Sequence, residues 1–223
     1  MNESIKVGFC VSGEGRLFRA AANAASDLGI QIALLVLEAK ASPDLEEFCS
    51  ARAIPLHRLN RKSRPEFDDE LLQVCTRVQL DLLILTFDKL LPAALVRHYT
   101  GRIINVHPAL LPAFKGMRAL EQTVASGARY AGASIHEVDE QMDHGPIIAQ
   151  CVVGLHETDS ASDLGQRLFP FLRDMYLQVI AWYAEKRITR DAQGRLWVRG
   201  GVYGGFPVSP ALERKFSGER AIK

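Results

Sequence analysis

The residues best suited to chemistry lie in Ile103–Pro112, where an apolar run ends in Asn105 and His107 and is stopped by Pro108. Proline lacks a backbone donor and holds the preceding residue extended, so a buried strand is predicted to end at His107. Side chains alternate along a strand, which places Asn105 and His107 on the same face. An amide beside an imidazole can stabilise a developing oxyanion and move a proton near neutral pH. An isolated pair of this kind also fits a plain strand end with a capping asparagine and a half-buried histidine.

A second polar segment follows the predicted strand Gly132–Val138, in which small or apolar residues alternate with polar ones. The acidic loop Asp139–Pro146 ends in Gly-Pro, and Ile147–Val153 resumes an apolar strand pattern. Asp143 therefore lies on a loop between two strands, where a carboxylate can accept a proton.

The motif N-x-H-P-x-L-L-P, followed by a histidine-containing strand, a D-x-x-x-D loop and G-P-I-I, resembles the folate-dependent formyltransferases. Within that family, the length and motif order are similar to the phosphoribosylglycinamide formyltransferases. The resemblance runs from the first strand to a long helix ending near Arg187. It implies an α/β fold, a single Rossmann-like formyltransferase domain with a mostly parallel central sheet flanked by helices. It also implies that Asn105, His107 and Asp143 are the catalytic residues.

The same resemblance implies 10-formyltetrahydrofolate as the formyl donor, a small-molecule amine as the acceptor, and no metal. The residues implied to contact the folate are Lys89, Leu90, Leu91, His136, Val138, Asp139 and Glu140. The residues implied to bind the acceptor are Gly13, Gly15, Arg16, Arg64 and Arg118. The glycine turn at Gly13 and Gly15 precedes a helix and could bring backbone N–H groups close to a phosphate. An ordinary tight turn explains those glycines equally well.

The acceptor half departs from the family pattern. Arg16 and Leu17 replace the Ser-Asn of S-G-x-G-S-N, and leucine stands at Leu172, where the ribonucleotide enzymes carry a glutamate for the ribose hydroxyls. These departures predict an acceptor other than the standard purine intermediate. The alternative is a phosphoribosylglycinamide formyltransferase of purine biosynthesis in which Arg16 and Arg64 supply the phosphate contacts.

Three other classes of protein share part of this pattern. A formyltetrahydrofolate hydrolase uses a similar trio on water, but its additional N-terminal domain is not expected here. A metal-dependent hydrolase could use His107, His136, Asp143 and His144, whose spacing matches no metal motif. A non-catalytic folate-binding protein would leave the Asn, His and Asp without a use.

Composition favours one α/β domain, because 223 residues with 48% hydrophobic side chains can bury a substantial core. The net charge of +1, from 27 basic and 26 acidic residues, predicts no nucleic-acid or membrane partner. The four cysteines are widely spaced in apolar patterns and the N-terminus is not a signal peptide, which predicts reduced thiols and a cytoplasmic protein. A homodimer is possible.

Residues 1–200 are predicted to form the formyltransferase domain, and residues 201–223 a glycine-containing C-terminal tail of unassigned role. Alternating strand and helix patterns predict a doubly wound parallel sheet in the opening half. Predicted strands are Ile5–Val11, Ile30–Leu37, Ala53–Leu59, Leu80–Thr86 and Arg102–His107, besides the two around the acidic loop. Predicted helices are Phe18–Leu28, Leu45–Arg52, one from a capping box at Ser63 and Glu66 to about Val78, Leu120–Ser126, and one from Asp159 and Ser160 to Trp182. Thr189–Val198 is predicted to be a hairpin.

Overall fold

The structure, a computed structural model, describes residues 4–60 and 63–214. Its chain forms two compact units, residues 1–105 and residues 106–223. The predicted fold class is confirmed, since the chain has an α/β fold with a mostly parallel sheet flanked by helices.

The first unit is a parallel sheet with strand order β5-β4-β1-β2-β3. Its elements are β1 (Ile5–Val11), α1 (Arg16–Asn23), α2 (Ala25–Leu28), β2 (Ile30–Leu37), α3 (Asp44–Ser50), β3 (Leu56–Arg58), α4 (Arg64–Arg77), β4 (Leu82–Thr86), α5 (Ala93–His98) and β5 (Ile103–His107), whose last two residues belong to the second unit. Strands β1 and β4 are almost fully buried, as expected of apolar strands covered on both faces.

The second unit is built on antiparallel strands in the order β10-β7-β6, with a separate hairpin of β8 and β9. Its elements are α6 (Ala119–Ala125), β6 (Tyr130–Glu137), β7 (Ile147–Gly154), α7 (Ala161–Ala184), β8 (Ile188–Arg190), β9 (Leu196–Val198) and β10 (Val208–Ser209). Helix α7 packs against β6 and β7. The loop between β6 and β7 therefore starts and ends on strands that are covered from one side by the longest helix of the described chain.

Helix α7 is held at its start by the predicted serine. Ser160 accepts a hydrogen bond from the Asp163 backbone, and the Asp163 carboxylate accepts one from the Ser160 backbone, which completes a capping box. The buried stripe of this helix includes Leu164, Leu168, Leu172 and Met175, at the three- and four-residue spacing of one helix face.

Asp159, just before α7, predicts a specific pH dependence of stability. Its carboxylate is 5% exposed and accepts hydrogen bonds from the Arg167 guanidinium and the His156 backbone. The pair with Arg167 chiefly lowers the pKa of Asp159 to about 2. A depressed pKa stabilises the fold above the unfolded-state value of about 4 and loses that contribution as the pH falls towards 2.

We therefore expect Asp159→Asn to lower the free energy of unfolding at neutral pH, with the difference from the unsubstituted chain shrinking between about pH 4 and pH 2. Urea unfolding at a series of pH values measures it. The exposed neighbour Glu157 provides the matched control Glu157→Gln, which should have little effect throughout. A difference that stays constant down to pH 2 would contradict the assignment.

Two local helix predictions differ from the structure. The single helix Phe18–Leu28 is interrupted at Ala24, whose φ of −100° and ψ of 9° are not helical, so α1 and α2 are separate. The capping box at Ser63 is wrong, since Ser63 precedes α4 but its side chain makes no capping hydrogen bond. Pro65 removes one N–H from that first turn, which leaves the serine with fewer donors to accept from.

Part of the predicted C-terminal tail, residues 201–223, belongs to the sheet of the second unit. Val208 and Ser209 form β10, which pairs with Cys151 and Gln150 of β7. Residues 215–223 of that prediction lie outside the described residues. The four cysteines are buried and form no disulfide with one another in this structure.

Candidate active site

Strand β5 carries two of the predicted catalytic residues. It pairs in parallel with β4, with Leu83 opposite Ile103 and Leu85 opposite Asn105. Asn105 is half-buried and His107, at the strand's end, is 4% exposed. Their spacing of two residues puts both side chains on the same face of β5, as predicted.

Asp143 lies between two imidazole rings within the second unit. Its Oδ2 is 3.3 Å from Nδ1 of His107 and its Oδ1 is 3.6 Å from Nε2 of His136. The Gly116 N–H donates to Oδ2 at 2.8 Å. Asp143 itself has a φ of 51°, a left-handed conformation that aspartate tolerates better than most residues. The three side chains define what we call the Asp143 cluster.

In each ring of the Asp143 cluster, the nitrogen that points away from the carboxylate faces a backbone carbonyl. Nε2 of His107 is 2.8 Å from the Phe114 carbonyl, and Nδ1 of His136 is 2.8 Å from the Glu137 carbonyl. A carbonyl only accepts, so these two nitrogens carry protons. The nitrogens that face Asp143 are bare when the rings are neutral and donate when the rings are protonated. The cluster can therefore take up a proton and hold it among three groups.

The electrostatics of the cluster favour an ionised Asp143. Burial by itself would raise the pKa of this carboxyl, whose side chain is 9% exposed. Hydrogen bonds from His136 and the Gly116 N–H, together with the charge of His107, outweigh burial and lower the pKa below its ordinary value. Asp143 is therefore a carboxylate at neutral pH and can accept a proton.

The loop that carries Asp143 is held by its own polar contacts. Asp139 accepts from the Gln141 N–H at 2.9 Å, and its other oxygen is 3.0 Å from Nδ1 of His144. Gly145 lies so close to the Glu137 carbonyl that a Cβ would be 1.9 Å from that oxygen, so only glycine fits there. Val138 and Asp139 are half-buried and Glu140 is exposed.

His136 stands apart from the other predicted folate contacts. Its side chain is 2% exposed and both ring nitrogens face groups of the protein, one of them Asp143. The structure thus brings His136 to the Asp143 cluster and leaves its ring little surface for a pterin. Strand alternation could have indicated its direction, but the carbonyl partners Phe114 and Glu137 have no side-chain signature in a sequence.

The predicted donor loop, Lys89–Leu91, follows β4 in the first unit. The Lys89 ammonium lies 3.1 Å from Asp88 and 3.8 Å from Glu38, and the Leu90 side chain is exposed. Arg64 donates to the Leu90 carbonyl at 2.9 Å and forms an ion pair with Asp68. Arg64 therefore contacts the Lys89–Leu91 loop, and its predicted contact with the acceptor stays a prediction.

The glycine turn between β1 and α1 lines a cavity of ≈ 240 Å³. Gly15, with φ of 68°, precedes α1 and has no room for a Cβ beside Leu45. The cavity is lined by Val11, Gly13, Glu14, Gly15, Arg16, Leu17 and Thr86. Three of the predicted acceptor residues, Gly13, Gly15 and Arg16, thus border one cavity, with the carboxylate of Glu14 beside them. Arg118, the last of the five predicted acceptor residues, is an exposed residue of the second unit at the N-terminus of α6.

Two kinds of feature are absent from residues 4–60 and 63–214, a membrane-spanning helix and a metal-binding cluster. No helix there combines the length and apolar character required to span a bilayer. No group of three or more histidine, cysteine, aspartate or glutamate side chains in those residues has a geometry suited to a metal ion.

Comparisons with known proteins agree with the motif resemblance. The formyl transferase family model matches residues 5–180. A chloroplastic phosphoribosylglycinamide formyltransferase of Arabidopsis thaliana is 33% identical over 201 residues, or 85% of this chain and 68% of that protein. The Escherichia coli K12 phosphoribosylglycinamide formyltransferase is 33% identical over 62% of this chain and 65% of its own length.

Solved structures show the same similarity. A phosphoribosylglycinamide formyltransferase from Anaplasma phagocytophilum has a TM-score of 0.79 and 29% identity, covering 87% of this chain and 94% of that one. A formyltetrahydrofolate deformylase from Pseudomonas putida KT2440 has a TM-score of 0.75 and 28% identity, covering 89% of this chain and 71% of that one.

Proposed function

The chain belongs to the formyl transferase family, and from that membership we propose that it formylates the amine of phosphoribosylglycinamide. Membership confirms the prediction of a 10-formyltetrahydrofolate-dependent formyltransferase with folate as co-substrate. The predicted acceptor outside purine synthesis is not supported by the relatives, whose names carry the purine acceptor. The observation that supports the proposed chemistry most is the carboxylate of Asp143 between two imidazoles.

In the proposed reaction the acceptor amine attacks the formyl carbon, and negative charge develops on the formyl oxygen of a tetrahedral intermediate. Asn105 donates its amide N–H to that oxygen. Both ring nitrogens of His107 already have protein partners, so this residue contributes the positive charge of its protonated ring, which Asp143 stabilises.

Asp143 accepts the proton that the amine loses, either directly or through a water, and the neighbouring rings share that proton. Collapse of the intermediate breaks the bond between the formyl carbon and N10 of the folate. The proton held by the cluster then returns to N10, which releases tetrahydrofolate and the formylated amine.

A second acceptor class is supported by the residue type at position 172, where leucine stands in place of a carboxylate. Leu172 is buried in the stripe of α7 that faces the core of the second unit, and leucine offers no group to ribose hydroxyls. A site that leaves such hydroxyls desolvated and unpaired forfeits about 1–3 kcal/mol each. An amine that carries an anionic group but no ribose would avoid that cost.

Steady-state kinetics separates the two acceptors. With phosphoribosylglycinamide we expect kcat/KM of about 10⁴ M⁻¹s⁻¹ or more, the ordinary range for an enzyme on its own substrate. Arg16→Met should raise the KM for this acceptor about tenfold and leave the KM for the folate unchanged, because a charged contact to phosphate is lost.

The matched control is Arg19→Met, one turn further along α1, where the arginine pairs with Asp44. It should leave both KM values unchanged. A kcat/KM for phosphoribosylglycinamide below about 10² M⁻¹s⁻¹, with a higher value for another amine of a test panel, would select the second class.

Cytoplasmic location and homodimerisation remain part of the proposal. The four buried reduced thiols support a reducing compartment. Sedimentation of the purified chain measures its oligomeric state.

A further inference from the structure

A buried carboxylate that belongs to no catalytic prediction lies directly after His136. Glu137 ends β6 and is 5% exposed. Its side chain points to the opposite face of the strand from His136, since successive side chains alternate. One carboxylate oxygen accepts from the Tyr183 hydroxyl at 3.1 Å and the other from the Arg190 guanidinium. Burial chiefly raises the pKa of this carboxyl, and Arg190 and Tyr183 oppose that effect.

The backbone of Glu137 contacts both the end of the acidic loop and the His136 ring. Its N–H donates to the Pro146 carbonyl at 3.0 Å, at the end of the loop that carries Asp143. Its carbonyl accepts from Nδ1 of His136 at 2.8 Å. Gly145 packs against the same carbonyl without space for a side chain. A displacement of residue 137 would therefore move both the His136 ring and the end of the acidic loop.

We propose that Glu137, held by Tyr183 of α7 and Arg190 of β8, is a positioning residue for formyl transfer. It fixes the strand end whose carbonyl keeps Nδ1 of His136 protonated and turns Nε2 towards Asp143. The role rests on the proposed function, because it acts through the Asp143 cluster, and Glu137 itself contacts none of the proposed catalytic groups with its carboxylate.

A purely stabilising role is a weaker explanation of the ionic contact. The ion pair joins the buried Glu137 to an Arg190 side chain that is 45% exposed, and a pair that is screened by solvent on one side contributes little net stability. The contact also ties the site to two elements, α7 and β8, that contain none of the proposed catalytic residues. The position of Glu137 directly after His136 gives this ionic contact a role in orienting the His136 ring.

The test uses Glu137→Gln and the double substitution Glu137→Met with Arg190→Met, which removes both charges together. The matched control is Arg195→Met on the same hairpin, where the arginine forms an exposed ion pair with Asp191. For each full-length variant we measure urea unfolding, kcat, both KM values, and the ring nitrogen signals of His136 by NMR at a pH where the ring is neutral.

We expect kcat of both Glu137 variants to fall about tenfold with both KM values within about twofold, whereas the Arg195→Met control stays near the unsubstituted chain. The His136 signals should change from a single Nδ1-protonated form to a mixture of tautomers. If Glu137→Gln fails to fold, the double variant, which leaves no unpaired charge, carries the test.

An unchanged His136 tautomer in a folded variant, or a kcat within about twofold of the control, would overturn the proposal. The NMR measurement requires no acceptor. A chain that proves inactive on phosphoribosylglycinamide can therefore still support or overturn the role of Glu137, and the two failures remain distinguishable.

Discussion

Asp143→Asn should lower kcat for formyl transfer by about two to three orders of magnitude and leave both KM values close to those of the unsubstituted chain. The carboxylate lies 3.3 Å from the His107 ring and 3.6 Å from the His136 ring, and it accepts a hydrogen bond from the Gly116 N–H. An asparagine of the same shape keeps one acceptor oxygen but carries no charge. It can neither take the amine proton nor stabilise a protonated imidazole.

The comparison variant is Asp139→Asn, in the same loop, whose carboxylate pairs with the exposed His144. Its loss should alter the KM for the folate at most and leave kcat nearly unchanged, because exposed ion pairs contribute little. Equal losses of kcat in the two variants would mean that the loop as a whole, and not the carboxylate between two rings, matters for the chemistry.

Asn105→Ala is expected to be nearly as severe, with kcat lowered about 10²–10³-fold. Removing one donor to a developing oxyanion costs about 2.7–4 kcal/mol of barrier height. Because the donation strengthens only as charge develops, the KM values should change far less than kcat.

Asn105 lies opposite Leu85 in the parallel ladder, so Asn105→Ala can also destabilise β5. The free energy of unfolding of the variant separates that destabilisation from the loss of the oxyanion donor. The control Asn23→Ala removes an exposed asparagine at the end of α1 and should have little effect on kcat. A loss smaller than about tenfold in a stable Asn105→Ala variant would exclude the amide as the principal oxyanion donor.

The strands were the most predictable elements, because apolar runs of strand length are bounded by polar or turn residues. Both ends of β1 and β2 coincide with the predicted bounds. Helix starts were less certain, and two serine capping signals had opposite outcomes. Ser160 forms its box with Asp163, whereas Ser63 forms none beside Pro65. The sequence pattern gives the residue types of a cap, but the hydrogen bond depends on local backbone geometry.

For the candidate site as well, the sequence indicates the residue types but not the orientation of the side chains. The motifs identified side chains that carry charge or donors, and the structure brings His107 and Asp143 within 3.3 Å. The orientation of the rings depends on the carbonyls of Phe114 and Glu137, and every residue has a carbonyl, so no sequence pattern distinguishes these two.

Arg64 illustrates why a residue type alone does not assign a role. An arginine at a helix start can bind a phosphate or a neighbouring peptide group, and here the Leu90 carbonyl and Asp68 are close enough to use its donors. The acceptor prediction depended in the same way on isolated substitutions at Arg16 and Leu172. The chain is similar to phosphoribosylglycinamide formyltransferases over most of its length. That similarity supports the purine acceptor more strongly than the two substituted positions support another amine, and acceptor kinetics tests the choice.

We propose that the Asp143 cluster promotes transfer of the formyl group from the folate to an amine. The most direct measurement follows an isotopically labelled formyl group from 10-formyltetrahydrofolate in a single turnover with phosphoribosylglycinamide present. We predict that the label appears on the acceptor amine as tetrahydrofolate forms, and that Asp143→Asn abolishes both events together. Release of the label as free formate, which is the outcome expected of a deformylase, or formation of tetrahydrofolate at an unchanged rate by Asp143→Asn, would contradict the account.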